Sequence, residues 1–226
     1  MNNCFKQLID EFRIHFRAEY DIAYTNQTVE SCQVLYNIVV QEKPNNIIEI
    51  GTNYGASTVS MALALKELNI PLSTMTTIDV SHDHWKKRTP IVLQKLIAEQ
   101  ELDITEIKTI TGDFVSINPK EIINVNVKTL IFYDIHDHKG PWSLRLMNLW
   151  YPLIKNGVFI VHDITPVDAD FVLKNNLECQ QSKATYFNGQ TYAGFLECAR
   201  LITWANENKI ILTNISGGVL FYRLNI

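Results

Sequence analysis

The chain has 226 residues, 46% of them hydrophobic, which is enough to bury the core of one domain and too apolar for a disordered chain. A formal net charge of −4 counts against a nucleic-acid partner, and the basic run Lys86-Lys87-Arg88 is short enough to be a solvated helix edge. Four scattered cysteines (Cys4, Cys32, Cys179, Cys198) without a CxxC pair read as the reduced thiols of a cytoplasmic protein, not as a disulfide or zinc framework.

Phe5, Leu8, Ile9, Phe12 and Phe16 recur at helical spacing and predict an amphipathic helix over residues 5–18. Lys6, Asp10 and Glu11 interrupt that segment, which speaks against a signal peptide. Nowhere does an apolar run reach the ~18 residues of a membrane span, so no membrane partner is expected. Cys32, Leu35, Tyr36 and Val39 predict a second helix over 28–42, stopped by Lys43-Pro44. Short β-rich runs then alternate with helical ones. Strands are expected at 47–50, 75–79, 106–111, 129–134 and 158–162, with helices at 58–68, 90–101 and 142–154. That rhythm implies a parallel sheet with helices on both faces. Thr89-Pro90 is expected to open its helix, Thr89 as cap and Pro90 at the first helical position. Asn156-Gly157 marks the turn into the fifth strand. Residues 167–190 are polar and mixed, and 191–207 read as helical. Two β-like runs, 210–213 and 219–224, are joined by a link so short that only a hairpin fits.

The most informative run is Ile47-Ile48-Glu49-Ile50-Gly51-Thr52-Asn53-Tyr54-Gly55-Ala56-Ser57-Thr58. A strand stops, turns around two glycines, and feeds a helix whose N-terminal N–H groups face a ligand. In an open parallel sheet, ligands bind beyond the carboxyl ends of the strands. Glu49 lies before the turn, where its charge would attract an ammonium or sulfonium centre. Ser57 is placed to cap the helix or to reach a carboxylate. Asp79, at the second strand end, suits the two hydroxyls of a ribose, and Thr111-Gly112-Asp113 ends the third strand. The glycine spacing argues against a dinucleotide fingerprint, because Asn53 and Ala56 stand where glycines would be needed. A Gly-Lys-Ser/Thr phosphate loop is absent as well.

This run resembles motif I of the class I S-adenosylmethionine (SAM) methyltransferases, Glu/Asp-x-Gly-x-x-x-Gly. The resemblance implies a Rossmann-like α/β fold: a seven-stranded, mostly parallel sheet with one antiparallel strand and helices on both faces. It implies SAM as cofactor, contacted by Glu49, Gly51, Asn53, Tyr54, Gly55, Ser57, Asp79, Asp113 and Asp134. His82-Asp83-His84-Trp85 is read as a surface loop, with Trp85 packing beside the adenosine.

The fourth strand continues as Tyr133-Asp134-Ile135-His136-Asp137-His138, and the fifth as Val161-His162-Asp163-Ile164. These segments resemble a bacterial branch of small-molecule O-methyltransferases, related to the macrocin-type sugar O-methyltransferases and the cephalosporin-hydroxylase-like proteins. His136 departs from the Asp usual there, and Asn156 from the usual Gly. The branch implies a divalent cation, Mg2+ or Mn2+, held here by Asp134, His162 and Asp163. An imidazole among the ligands favours a softer ion than magnesium. The same residues also support a metal-free site, in which His136 or His162 takes the acceptor proton and Asp163 or Asp137 orients the ring.

The expected organisation is a single methyltransferase domain over 1–226. It comprises a helical extension (1–43), a cofactor-binding core (44–165), an acceptor lid (166–208) and a strand hairpin (209–226). The expected activity is methyl transfer from SAM to a hydroxyl of a sugar or phenol-like molecule, with Asp134, His136 and His162 as the catalytic candidates. A homo-oligomer is left open. Three rival readings are a SAM-binding protein without catalysis, hinted at by His136; a protein or nucleic-acid N-methyltransferase, which lacks its Asn/Asp-Pro-Pro-Tyr box here; and an NAD-dependent dehydrogenase.

Overall fold

The computed structural model describes residues 4–11, 29–135, 142–162, 169–175, 195–214 and 222–224. The chain divides into two compact units, residues 1–114 and 115–226.

Unit 1 holds helices α1 (residues 4–11), α2 (Val29–Glu42), α3 (Ala56–Glu67), α4 (Thr89–Val92) and α5 (Gln94–Glu99). Its strands are β1 (Asn46–Ile50), β2 (Met75–Asp79) and β3 (Lys108–Thr111), parallel and in the order β3-β2-β1. β1 and β2 are buried along nearly their whole length, with Glu49, Thr76 and Thr77 among the buried residues. β3 lies at the outer side of the three and is half-exposed. Helix α3 is buried from Ala56 to Leu65, because its small and apolar residues leave no polar face. It ends on Asn69 in a left-handed conformation (φ 55°), with Ile70 N–H bonded to Leu65 O at 2.9 Å. That is the helix stop in which Asn replaces the usual Gly. The Tyr36 hydroxyl ties α2 to Glu67 of α3, and Phe5 of α1 meets the Tyr36 ring edge-on at 5.3 Å.

The helix expected over 90–101 is two helices, interrupted at Leu93. A π turn, His84–Arg88, runs straight into α4, so the cap position falls on Arg88 and Thr89 lies inside the helix. The Thr89 hydroxyl instead donates to the Tyr54 carbonyl at 2.7 Å.

Unit 2 holds β4 (Thr129–Tyr133), α6 (Trp142–Leu149), β5 (Gly157–Val161), α7 (Ala169–Asn175), α8 (Phe195–Glu207), β6 (Leu212–Asn214) and β7 (Tyr222–Leu224). β4 and β5 are parallel, with Thr129 beside Gly157 and Tyr133 beside Val161. β7 is antiparallel to both β5 and β6, so it alone among the described strands of this unit runs backwards. The order is β4-β5-β7-β6. The helix expected over 142–154 stops at Leu149, and a 3-10 turn at Tyr151–Leu153 carries Pro152. Helix α8 packs on α6 and α7, with Trp204 Nε1–H donating to Asn148 Oδ1 at 3.1 Å and Tyr151 edge-on to Trp204 at 5.2 Å. Helix α7 falls inside the stretch read as mixed. The expectations for residues 12–28, 176–194 and the 215–221 link lie outside the described residues.

Among the described residues, no helix is long and apolar enough to cross a membrane. The architecture is α/β, with parallel strands flanked by helices.

Candidate functional site

The strand register sets the level of the site in unit 1. β1–β2 and β2–β3 pairing each continues one residue past the strands, through Gly51 N–H to Ile78 O and Gly112 N–H to Asp79 O, both 2.9 Å. Between Gly51 and Gly55 the chain turns with three left-handed residues, Gly51 (φ 99°), Asn53 (φ 46°) and Gly55 (φ 80°). Gly55 N–H closes the turn on Thr52 O at 2.8 Å. A Cβ at Gly55 would run into the Trp85 ring, so both the backbone and the packing require glycine there.

Asp79 holds this turn from beneath. Its Oδ2 accepts from the N–H groups of Thr52 and Asn53, each at 2.9 Å, and its Oδ1 from Ser81 N–H at 3.1 Å. The carboxylate expected at a ribose is thus also the brace of the Gly51–Gly55 backbone.

Period-2 alternation puts Glu49, Thr77, Asp79 and Thr111 on one face of the three strands, with Thr77 directly beside Glu49. Glu49 is fully buried. Its Oε1 accepts from the Ser57 hydroxyl at 2.6 Å, and its Oε2 from those of Thr58 (2.6 Å) and Thr77 (2.7 Å). The expectation that its charge reaches out to a ligand is therefore corrected: a buried carboxylate must be hydrogen-bonded, and this one is held by hydroxyls. Ser57 reaches the carboxylate, and Gly55 caps α3 with no side-chain bond.

The polar chain extends further. The Thr52 hydroxyl bonds that of Thr77 and lies 3.3 Å from His82 Nε2, while His82 Nδ1 is 2.9 Å from the Thr111 hydroxyl. His82 and Trp85 are each only 3% exposed, while Asp83 between them is exposed, so the surface-loop expectation fails at His82. Burial lowers the His82 pKa below 6.5; Asp79 raises it, Lys86 lowers it, and a hydrogen bond to the Thr77 backbone raises it. Asn53 and Asp113 are exposed and Tyr54 is buried. Val80, just past Asp79, is an exposed apolar side chain.

In unit 2, Asp134 and His162 each follow a strand directly, and the in-register ends make them neighbours. His162 N–H donates to Tyr133 O at 2.9 Å. Its Nδ1 lies 2.7 Å from Asp134 Oδ1, with the imidazole 2% and the carboxylate 19% exposed. A carboxylate accepts, so Nδ1 carries the proton of this bond. His136, Asp137, His138 and Asp163 lie outside the described residues. Their mutual bond engages His162 Nδ1 and Asp134 Oδ1, and Asp163, the third ligand that the resemblance implies, lies outside the described residues. Among the described residues no group of three or more His, Cys, Asp or Glu is placed to hold an ion. Cys32 is no nucleophile: burial pushes its thiol up to about 11.

The sequence reading gave no role to Thr52, Thr58, Thr77 or Val80, and placed His82 in a surface loop. A charged Glu inside a buried strand was the available signal, because it demands donors from somewhere. Nothing local says where they come from.

The sequence profile of the methyltransferase domain family matches residues 48–164, and the chain belongs to that family. It shares the fold of methyltransferases solved with SAM or S-adenosylhomocysteine. No curated protein matches the chain by sequence. Similar solved structures include an O-methyltransferase from Bacillus cereus in complex with S-adenosylhomocysteine (SAH). It is 17% identical, with a TM-score of 0.56 and coverage of 97% of this chain and 89% of that one. The SAM-bound O-methyltransferase TomG from Streptomyces achromogenes, involved in tomaymycin synthesis, is 15% identical, with a TM-score of 0.55 and coverage of 98% and 87%. An SAH-bound methyltransferase from Podospora anserina is 13% identical, with a TM-score of 0.56 and coverage of 97% and 88%.

Proposed function

We propose that this protein transfers the methyl group of SAM to a hydroxyl oxygen of a small molecule, and that Asp134 and His162 handle the hydroxyl proton. The observation that carries the reading is the 2.7 Å Asp134–His162 bond just past two parallel strand ends. The O-methyltransferases among the similar structures support oxygen as the acceptor atom.

The residues of unit 1 fit SAM. The left-handed turn brings bare backbone to the ligand, and the N–H groups at the start of α3 favour its carboxylate. We assign Gly51, Asn53, Tyr54, Gly55 and Ser57 to that turn, Asp79 to the ribose hydroxyls, and Asp113 to the adenine amine. Val80 offers the adenine an apolar face. Glu49 acts by holding the turn in shape.

SAM supplies an electrophilic methyl on a sulfonium. The acceptor oxygen forms the new C–O bond as the C–S bond breaks, and its proton must leave to a base. Burial favours Asp134 as the group that meets the acceptor, with His162 donating to it from below and steadying it. The whole chain is taken as one methyltransferase domain, with a seven-stranded sheet, an N-terminal helical extension and an acceptor lid within 166–208. The acceptor is a sugar or phenol-like hydroxyl compound.

Calorimetry with SAH on the wild type and Gly55→Val tests the donor half. Wild type binds, and the variant loses about tenfold or more through left-handed strain and collision with Trp85. Radiolabelled methyl transfer from SAM to a panel of phenols and sugars, with and without chelator, tests the acceptor half. Turnover that survives chelator supports the Asp134–His162 pair. Loss of turnover restored by a divalent cation replaces it with a metal site.

A further inference from the structure

We propose that His82 is a positioning residue for the cofactor. Acting through Thr52 as the neutral Nε2–H tautomer, its imidazole holds the Gly51–Gly55 turn in the shape that takes SAM. The inference rests on the reading of that turn as the SAM site.

The proton positions follow from the hydrogen bonds. Thr77 has one hydroxyl proton, and it goes to Glu49 Oε2 at 2.7 Å. Thr77 can therefore only accept from Thr52, which uses the single Thr52 hydroxyl proton. The 3.3 Å contact to His82 then reads as a donation from Nε2–H to Thr52 Oγ1, beside the hydrogen bond that the ring makes to the Thr77 backbone. With the ring neutral, Nδ1 is bare and accepts the Thr111 hydroxyl at 2.9 Å. Protons thus point one way along the chain, from Thr111 through His82, Thr52 and Thr77 to Glu49. Each hydroxyl donates once, and the line ends on the buried charge.

Thr52 is the node that links this line to the ligand side. Its N–H is fixed by Asp79 Oδ2, and its hydroxyl by His82 and Thr77. A residue held from both backbone and side chain has little freedom, and it lies between the left-handed Gly51 and Asn53. The His82 ring thereby joins the ends of β1, β2 and β3 through Thr52, Thr77 and Thr111. The charged groups around it are Asp79 from β2, Lys86 from the π turn and, through two hydroxyls, Glu49 from β1. Burial outweighs the attraction of Asp79, and the ring stays neutral near pH 7.

A merely space-filling histidine and a positioning one differ in what they do to ligand affinity. Long-range 1H–15N spectra of the full chain at pH 7 report the His82 tautomer directly; Nε2–H is expected. Calorimetry with SAH then compares His82→Leu, His82→Gln, Thr52→Val and the Leu/Val double variant with wild type. His82→Leu is expected to weaken SAH about tenfold. His82→Gln, whose amide returns a donor close to the Nε2 place, recovers most of that loss. Thr52→Val matches His82→Leu, and the double variant is no weaker than either single one. An Nδ1–H tautomer, full affinity in His82→Leu, no recovery in His82→Gln, or additive losses would each overturn the proposal. Should His82→Leu fail to fold, Thr52→Val and the tautomer spectrum carry the test. A wild type with the Nε2–H tautomer that binds neither SAM nor SAH sinks the cofactor reading itself, a result distinct from the others.

Discussion

Glu49 in unit 1 and Asp134 in unit 2 are both carboxylates at the ends of buried parallel strands, and their surroundings treat them in opposite ways. Glu49 is shut away under three hydroxyls. Asp134 is partly open and rests on an imidazole. On the function proposed above, the first arrangement holds a shape, and the second offers the acceptor's proton a carboxylate. Two acids that look alike in sequence are separated by their partners.

The sharpest way to break this comparison is Asp134→Asn. Loss of the base should lower kcat by about 10²–10⁴-fold and leave SAH affinity close to wild type. A collapse of SAH affinity with kcat intact would move Asp134 to the donor side and erase the contrast. Glu49→Gln should act on stability instead. An amide N–H2 then faces hydroxyl donors inside the core, and one unsatisfied buried group costs about 1–3 kcal/mol. Urea unfolding measures that loss; an unchanged midpoint would mean that Glu49 is no clamp.

The smallest effect concerns pH. The pKa of His82 is lowered from 6.5 in the folded protein, so between that lowered value and 6.5 the unfolded chain binds more protons than the folded one. Stability should therefore be fully present above pH 6.5 and fall as the pH drops toward the folded value. His82→Gln should flatten that part of the profile in pH-dependent urea unfolding. An identical slope in the variant assigns the acid sensitivity to another group.

The strands were legible because each is a short run rich in β-branched residues, Ile in β1 and Thr and Ile in β2. β2 begins and ends where the pattern predicts, at Met75 and Asp79. Helix boundaries were less so. Leu93 and Leu96 are both buried on one continuing helical rhythm, and nothing in that rhythm reveals the interruption at Leu93. At the site, the glycine turn and the acids at the strand ends could be read off, because each is a local feature. The clamp on Glu49 could not, since its donors come from residues 57, 58 and 77. His82 looked like a loop residue for the same reason: Thr111, which receives its ring, lies on another strand.

The strand order of unit 2 has a consequence for the time at which the protein can be completed. β7 follows β6 in the chain but lies between β5 and β6. The side of β5 away from β4 is therefore covered by residues 222–224, and β6 joins through them. Those residues leave the ribosome roughly sixty positions after β5, about 3–12 s later at ordinary synthesis rates. During that interval a nascent chain carries an apolar strand, Gly157–Val161, with one flank still waiting for its neighbour.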